Sequence, residues 1–284
     1  MGKELALLTA ICFGLNPVTL KMGFARNGRT DVAVAIGLAV AVPMYLVLLP
    51  FWGGLHLELL TVPALLGFIA GGLFGGGIGR RWMYIAIDKL GASPATAIKN
   101  AAPVITTILA VLFFGEQVDL FHWLAIIGIV AGITLVTWKK GGGIKQLAGI
   151  GVLAAVGSAL SYGIRPLFLK FGLDSADLPL TGTLIGALAA LGYTLALTKM
   201  SDIRAGLTER ATLLFVVSGV LQAIGFLALT VGLASNDVSV VYPVTSSAPL
   251  FTVAFTALML RGLEVITWRI VVGVLLVVGG VIAL

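Results

Sequence analysis

Charge is what this sequence has least of. Only 11% of its 284 residues are charged, against about 25% in an ordinary soluble domain, so a soluble globule of this length is excluded. Cysteine is nearly absent as well. Cys12 stands alone inside an apolar run, so it has no disulfide partner and reads as a small apolar side chain. Histidine is limited to His56 and His122, far apart and without a cysteine pair or carboxylate nearby, which argues against a metal site. No Asp or Glu lies deep inside any long apolar stretch; Asp88 and Glu116 fall at the ends of such stretches. A membrane-embedded enzyme needs a cluster of carboxylates, histidines or nucleophiles, and none is legible, so neither catalysis nor a cofactor is expected.

What the chain does have is apolar length, with 59% hydrophobic residues. A bilayer core of about 30 Å takes roughly 20 apolar residues per helix, and the sequence divides into about ten such spans. They are Leu5–Ala25, Val32–Trp52, Val62–Ile87, Ala92–Phe114, Leu120–Trp138, Ile150–Leu173, Leu178–Leu197, Leu213–Leu233, Val238–Leu260 and Val265–Leu284, numbered here as spans 1 to 10. The connections are short and leave no soluble domain. The opening Met1-Gly2-Lys3-Glu4 precedes an apolar run too long for a secretory signal and without a small-residue cleavage site, so it reads as a retained first helix. The net charge of +6 sits mostly in the connections, where anionic lipid headgroups account for it without a nucleic-acid partner.

Two halves of the sequence resemble each other. Span 1 contains GLNPVTLKMGF and span 6 contains GIRPLFLKFGL, so that Gly14, Pro17, Leu20, Lys21 and Gly23 match Gly163, Pro166, Leu169, Lys170 and Gly172 at one spacing. Ala102-Pro103 likewise matches Ala248-Pro249, and Trp123 with Gly128 matches Trp268 with Gly273. This is a duplication of about 145 residues, dividing the chain into residues 1–140 and 141–284. Five spans per half send the second half into the membrane from the opposite side, the inverted-repeat plan of many secondary transporters, with a substrate site near the midplane between the halves.

The stretch GRRWMYIAIDKLGASPATAIKNAAPVITTILAVLFFGE (Gly79 to Glu116) and its looser copy ending Gly262-Leu263-Glu264 resemble the drug/metabolite transporter superfamily, in its ten-helix group with two EamA-type repeats. The resemblance covers essentially the whole chain. It implies an all-α membrane protein of ten transmembrane helices in two inverted five-helix repeats, transporting a small molecule by alternating access. It specifies the fold far better than the substrate.

Ionisable groups within a span cost roughly 2.5–3.5 kcal/mol at the bilayer centre, so each needs an escape or a purpose. Arg80 and Arg81 in span 3 and Lys99 in span 4 fit snorkelling to headgroups as well as a polar path. Lys21 and Lys170 fit snorkelling better than a gate. Arg165 occupies the position that Asn16 holds in the first repeat, each directly before a matched proline. A proline frees a backbone carbonyl that water or a polar neighbour can satisfy. Ser158, Tyr162 and Arg165 share one helical stripe. Span 4 carries Thr96, Asn100, Pro103 and Thr107 at helical spacing, and span 9 carries Tyr242, Ser246 and Pro249; such stripes also occur as helix-to-helix hydrogen bonds. The expected binding set is Asn16, Arg80, Arg81, Tyr84, Lys99, Asn100, Tyr162, Arg165, Gln222, Tyr242 and Ser246. The glycines from Gly71 to Gly79, six residues of nine, lack a preceding strand and a Gly-Lys-Ser/Thr, so they read as close helix packing rather than a phosphate loop.

Cations without acids along the path favour an anionic or carboxylate-bearing solute. Trp82, Tyr84, Tyr162 and Tyr242 leave open a quaternary ammonium caged by cation–π attraction, and an amino acid, a drug or a lipid headgroup also remains open, the last making the protein a flippase or a channel. Partners are expected to be the substrate and membrane lipid, with the protein a monomer or weak homodimer in a prokaryotic plasma membrane. Connections after odd-numbered spans hold Arg26, Arg29, Lys89, Lys139, Lys140, Lys145, Lys199, Arg204, Arg210 and Arg261, while the opposite side holds only Lys3. The positive-inside rule then places both termini outside, whereas the family resemblance implies cytoplasmic termini.

Overall fold

A computed structural model of the chain describes residues 2–26, 28–52, 54–102, 104–105, 108, 120–137, 149–207, 211–235 and 244–283. All regular structure among them is helical. Span 1 is Gly2–Phe24, span 2 Thr30–Leu48, span 5 Leu120–Thr137, span 6 Ile150–Ser175, span 7 Pro179–Leu197, span 8 Thr212–Ser235 and span 10 Trp268–Ala283. Span 3 is continuous but composite, with α-helix over Val62–Gly72, a wider π-helical stretch over Leu73–Gly79, and α-helix again over Arg80–Leu90. Six of these helices are long and apolar enough to cross a membrane, and Trp123–Val136, Ala248–Met259 and Trp268–Ala283 are shorter apolar helices. A short helix, Met200–Leu207, follows span 7 where the sequence reads only as a connection; its Asp202 pairs with Arg29 at 3.0 Å.

Spans 4 and 9 are both interrupted. The helix Ala92–Lys99 ends in a turn at Asn100-Ala101, and a turn at Ser246-Ser247 precedes the helix Ala248–Met259. Each break stands directly before a matched Ala-Pro pair, and the reason is local: a proline supplies no N–H and its ring crowds the carbonyl four residues back, yet it starts a new helix well. The two breaks touch, the Asn100 side-chain amide donating to the Ser246 carbonyl at 3.1 Å across 146 residues. That is also the spacing of the two Ala-Pro pairs, so equivalent residues meet on the symmetry axis relating the halves.

The direction of that axis follows from spans 5 and 10, which are equivalents and pack on each other. Gly280 lies on Ala125 and Ile129, while Gly273 lies on Gly132 and Val136. Numbers rise along one helix as they fall along the other, so the equivalents are antiparallel and the repeats inverted.

The repeats are also interlaced. Gly14 of span 1 rests on Ala248 and Phe251 of span 9, and its mate Gly163 of span 6 rests on Ala102 and Ile105 of span 4. Gly23 lies against the Phe215 ring of span 8, and its mate Gly172 against the Phe68 ring of span 3; both rings are fully buried. Gly37 of span 2 meets Gly219 of span 8, just as Gly186 of span 7 meets Gly72 of span 3. The first two helices of each repeat are therefore clasped by the third and fourth of the other. Glycine permits this because its missing Cβ lets backbones approach closely, and in lipid such packing replaces the hydrophobic drive between helices.

Candidate functional site

A narrow cavity of about 40 Å³ opens where the two interlaced groups face each other. Leu38, Ala41 and Tyr45 of span 2 and Phe226 of span 8 form one wall. Gly71, Gly72, Gly76 and Arg80 of span 3, Arg165 and Leu169 of span 6, and Gly182, Thr183, Gly186 and Ala187 of span 7 form the other. At about 10–15 Å³ per water, the space suits about three waters, far short of the several hundred Å³ that a bound metabolite fills.

Arg80 is the most demanding group on this wall. It is 4% exposed, and its Nε and Nη1 have no hydrogen-bond partner. A buried guanidinium left in that condition is costly, and the π-helical segment just before it is what turns it inward. A π-helix carries more residues per turn and is otherwise rare, appearing mostly at functional positions. Here the glycines of the segment keep the wider turn clear of its neighbours: a Cβ on Gly79 would lie 3.0 Å from the Ser161 side chain, and one on Gly77 3.0 Å from the Tyr193 ring.

Arg165 enters the cavity from span 6 with its guanidinium 4.4 Å from the centre of the Phe226 ring. Phe226 meets Phe13 edge-on at 5.2 Å. The Arg165 stem runs alongside Gly75, where any larger residue would displace it. Its charge is felt at Lys99, and Arg80 and Arg165 both act on Tyr45. Lys99 is largely buried at the end of the first half of span 4, its Nζ 5.0 Å from the centre of the Tyr162 ring. Arg80, Arg165 and Lys99 thus form a group of three cations, and none of them has a carboxylate on its own span nearby.

The repeat equivalence explains why the cavity lies on one side. Asn16 matches Arg165, and Ser218 matches Gly71, since each follows the equivalent phenylalanine, Phe215 or Phe68, by the same interval. In the first pair the Asn16 amide donates to both the Ser218 carbonyl and its Oγ at 2.8 Å, and the space is closed. In the second, glycine replaces the serine, arginine replaces the asparagine, and the volume left over is cavity.

The other expected residues separate by location. Tyr84 is 2% exposed with no hydrogen-bond partner for its hydroxyl. It lies near Asn16 and Ser218, and the hydroxyl is 3.6 Å from where a Cβ on Gly37 would stand. Gln222 is one helical turn from Ser218 and one from Phe226, on the stripe of span 8 that connects the closed and open sides. Asn100 and Ser246 meet on the axis, as described above. Arg81 points elsewhere: its Nη2 is 3.0 Å from an Asp31 carboxylate oxygen near the ends of spans 2 and 3. Lys21 donates to the Asp88 carbonyl at 2.6 Å, so a protein acceptor takes its charge. Tyr242, Pro103 and Thr107 lie outside the described residues, as do the side chains of Pro166 and Lys170.

Residues 1–138 and 149–284 each match the EamA-like transporter family. The chain belongs to that family. Two matches, in register with the interlaced halves, account for both repeats of this EamA-family protein. Among curated relatives it is 26% identical over 197 residues to the uncharacterized transporter YvbV of Bacillus subtilis, a stretch covering 68% of this chain and 63% of the relative. It is 33% identical over 72 residues to a Yersinia pseudotuberculosis protein described as a probable 4-amino-4-deoxy-L-arabinose-phosphoundecaprenol flippase subunit, ArnE, covering 20% of this chain and 63% of that protein. The chain thus spans 63% of the length of either relative. A solved crystal structure superposes with a TM-score of 0.54 at 19% identity, over 98% of this chain and 95% of the other, which supports the fold alone.

Sequence reasoning missed Tyr45, Phe226 and the cavity-facing role of Gly71, Gly72 and Gly76 in this EamA-family chain. The glycine run does pack closely, Gly72 against Gly186, but it also lines the cavity and forms the π-helical turn. Its density within span 3, directly before two arginines, was the available signal. Tyr45 and Phe226 offered none, because an aromatic in an apolar span reads the same whether it faces lipid or a ligand.

Proposed function

We propose that this EamA-family protein is a secondary transporter that carries a small anionic solute, a carboxylate or a phosphate, by alternating access through the cavity between spans 2, 3, 6, 7 and 8. The observation that carries the reading is Arg80: a guanidinium 4% exposed on a cavity wall, with Nε and Nη1 unpartnered. A ligand carboxylate or phosphate supplies what it lacks, accepting in the forked geometry that guanidinium offers. Arg165 lines the same space, and Lys99 lies close enough to Arg165 to feel its charge. Phe226 and Tyr45 supply the apolar and aromatic wall that binding sites combine with a few polar anchors. A cationic solute is disfavoured, since the described residues lining the cavity include Arg80 and no carboxylate to receive it. The cavity is too small for a metabolite, so the alternation must part its walls.

Thermal stabilisation of the purified protein tests this, because a ligand that binds only the folded state raises its unfolding midpoint. Water-soluble dicarboxylates and phosphate esters should stabilise it, and choline should not. Stabilisation by phosphorylated lipid alone would instead favour a flippase. Arg80→Gln should keep the fold and weaken anion binding by about 1.5–3 kcal/mol, the worth of a hydrogen bond to a charged group. That is roughly a ten- to hundredfold rise in Kd. Undiminished anion binding by Arg80→Gln would remove the basis of the reading.

A further inference from the structure

We propose that Phe226 is a positioning residue for the anion: its ring holds the guanidinium of Arg165 so that donors at the edge of that group are presented to a ligand in the cavity. The proposal rests on the reading of the cavity as an anion site. It adds the residue that aims one of the two arginines lining that site, which the reading itself does not contain.

Phe226 stands at a position that the symmetry of the repeats defines. A Cβ on Gly79 of span 3 would meet Ser161 and Tyr162 of span 6, and one on Gly225 of span 8 would meet Cys12 and Phe13 of span 1. Cys12 and Phe13 are the mates of Ser161 and Tyr162, in the register that pairs Asn16 with Arg165. Gly79 and Gly225 are therefore equivalent, and so are the residues that follow them, Arg80 and Phe226. Earlier in the two spans, Gly72 on Gly186 is equivalent to Gly219 on Gly37. Between these fixed points span 3 has six residues, Leu73 to Ile78, where span 8 has five, Val220 to Ile224. The wider π-helical turn takes up the extra residue, while span 8 is α-helical throughout. Arg80 thus reaches the cavity in the register of its mate, and the two line it from opposite walls.

Arg165 is held between two surfaces. Its stem lies along Gly75, where a Cβ would collide with its Cδ and Nε. Its guanidinium stands 4.4 Å from the centre of the Phe226 ring, which the edge-on ring of Phe13 backs at 5.2 Å. The negative face of an aromatic ring attracts a guanidinium. Arginine stacks on such a face through its plane, while its five N–H donors point outward within that plane. A ring and a forked anion therefore engage different parts of the same group. Five donors also leave some for a ligand beside any partner within the protein. The ring cannot be exchanged for the residue of its mate, because Phe226→Arg would set a second guanidinium against that of Arg165. The repeats divide the work accordingly: span 3 supplies a cation at this position, and span 8 supplies the ring that steadies the cation of span 6.

The test is anion binding by the whole purified protein, read from the rise in its unfolding midpoint with inorganic phosphate, glycerol phosphate or succinate. Phe226→Leu, which keeps an apolar side chain without a π face, should raise the Kd about three- to thirtyfold, the worth of a cation–π contact. Phe226→Met takes its place should the leucine variant fail to fold. Phe226→Tyr and Phe226→Trp should recover most of the loss, which packing alone does not predict for side chains larger than the original. Phe226→Arg should bind anion more weakly than the unaltered protein, although it adds a positive charge to the wall. In an Arg165→Gln background, Phe226→Leu should cost nothing further. Binding by Phe226→Leu as tight as that of the unaltered protein, tighter binding by Phe226→Arg, or no recovery with tyrosine and tryptophan would overturn the positioning role. The anion site would still stand if Arg80→Gln were impaired in the same assay. Stabilisation of the unaltered protein by none of the three anions would overturn the anion site and the positioning role with it.

Discussion

If the halves are interlaced through Gly14 and Gly163, adding one methyl at either should damage the protein to a similar degree. A Cβ on Gly14 would stand 2.5 Å from the Phe251 Cβ and 3.0 Å from the Ala248 carbonyl oxygen. One on Gly163 would stand 2.8 Å from the Ala102 carbonyl oxygen and 2.9 Å from the Ile105 Cβ. These neighbours are backbone or Cβ atoms that no rotamer change removes, so the overpacking belongs in the upper part of its usual range of about 1–3 kcal/mol. Alanine regains up to about 1 kcal/mol of helix propensity over glycine. The net loss expected for Gly14→Ala and for Gly163→Ala is thus about 1–2 kcal/mol each. Gly192 is the control, since nothing lies within 4 Å of its added Cβ, and Gly192→Ala should be neutral or stabilising. Thermal unfolding of detergent-purified variants measures all three. Gly14→Ala and Gly163→Ala tracking Gly192→Ala would mean that spans 1 and 6 do not meet spans 9 and 4 as described.

Glu264→Ala should destabilise by about 0.5–2 kcal/mol, the worth of a helix N-cap, because its two oxygens accept from Ala92 N at 2.7 Å and Ser93 N at 3.0 Å. Glu264→Gln should lose less, and unfolding midpoints that place it below alanine would refute the capping role. A double-mutant cycle on Arg29 and Asp202 should give a coupling of only about 0.2–1 kcal/mol that fades with salt, since the two side chains are 48% and 27% exposed; a larger, salt-independent coupling would contradict this. A reporter joined after Leu284 should be reachable from outside intact cells, as the cations after odd-numbered spans require; labelling only after permeabilisation would show that the family norm prevails.

The fold was legible because lipid makes sequence unusually explicit. A span must be apolar for about 20 residues, and a duplication repeats its punctuation, so Gly14/Gly163 and Ala102/Ala248 could be aligned without coordinates. What the matched glycines touch could not be read. Nothing in one dimension says that Gly23 lies on Phe215 rather than on a residue of its own half, and the interlacing appears only in three. The site divides in the same way. Arg80, Arg165 and Lys99 announced themselves by cost, whereas Arg81 carried the same signal and pairs with Asp31 at the end of its span. An ionisable group near a span end has partners that sequence separation hides. The π-helical turn of span 3 was equally hidden, since hydropathy sees the same apolar residues whichever helix they wind.

The interlaced contacts also indicate which parts move together. Spans 1 and 2 are joined to spans 8 and 9 by glycine contacts, and spans 6 and 7 to spans 3 and 4 by the equivalent ones. Such contacts interlock at backbone distance and resist sliding, so the natural moving bodies are these two mixed groups rather than the two sequence halves. The cavity lies on the seam between them, with Tyr45 and Phe226 on one body and Arg80 and Arg165 on the other. At the end of the seam near the odd-numbered connections, three latches cross it: Arg81 to Asp31, Lys21 to the Asp88 carbonyl, and Glu264 to the start of span 4. The cavity is displaced from that end, towards the half where spans 2 and 6 finish and spans 3 and 7 begin. A seam latched at one end and hollow towards the other can open by rotation about the latched end. On the proposed alternating-access reading, inverted symmetry supplies the opposite state, in which Asn16 and Ser218 part and the space around Arg165 and Gly71 closes. On the same proposed reading Arg80, on the cavity wall, is placed to hold the anion in both states.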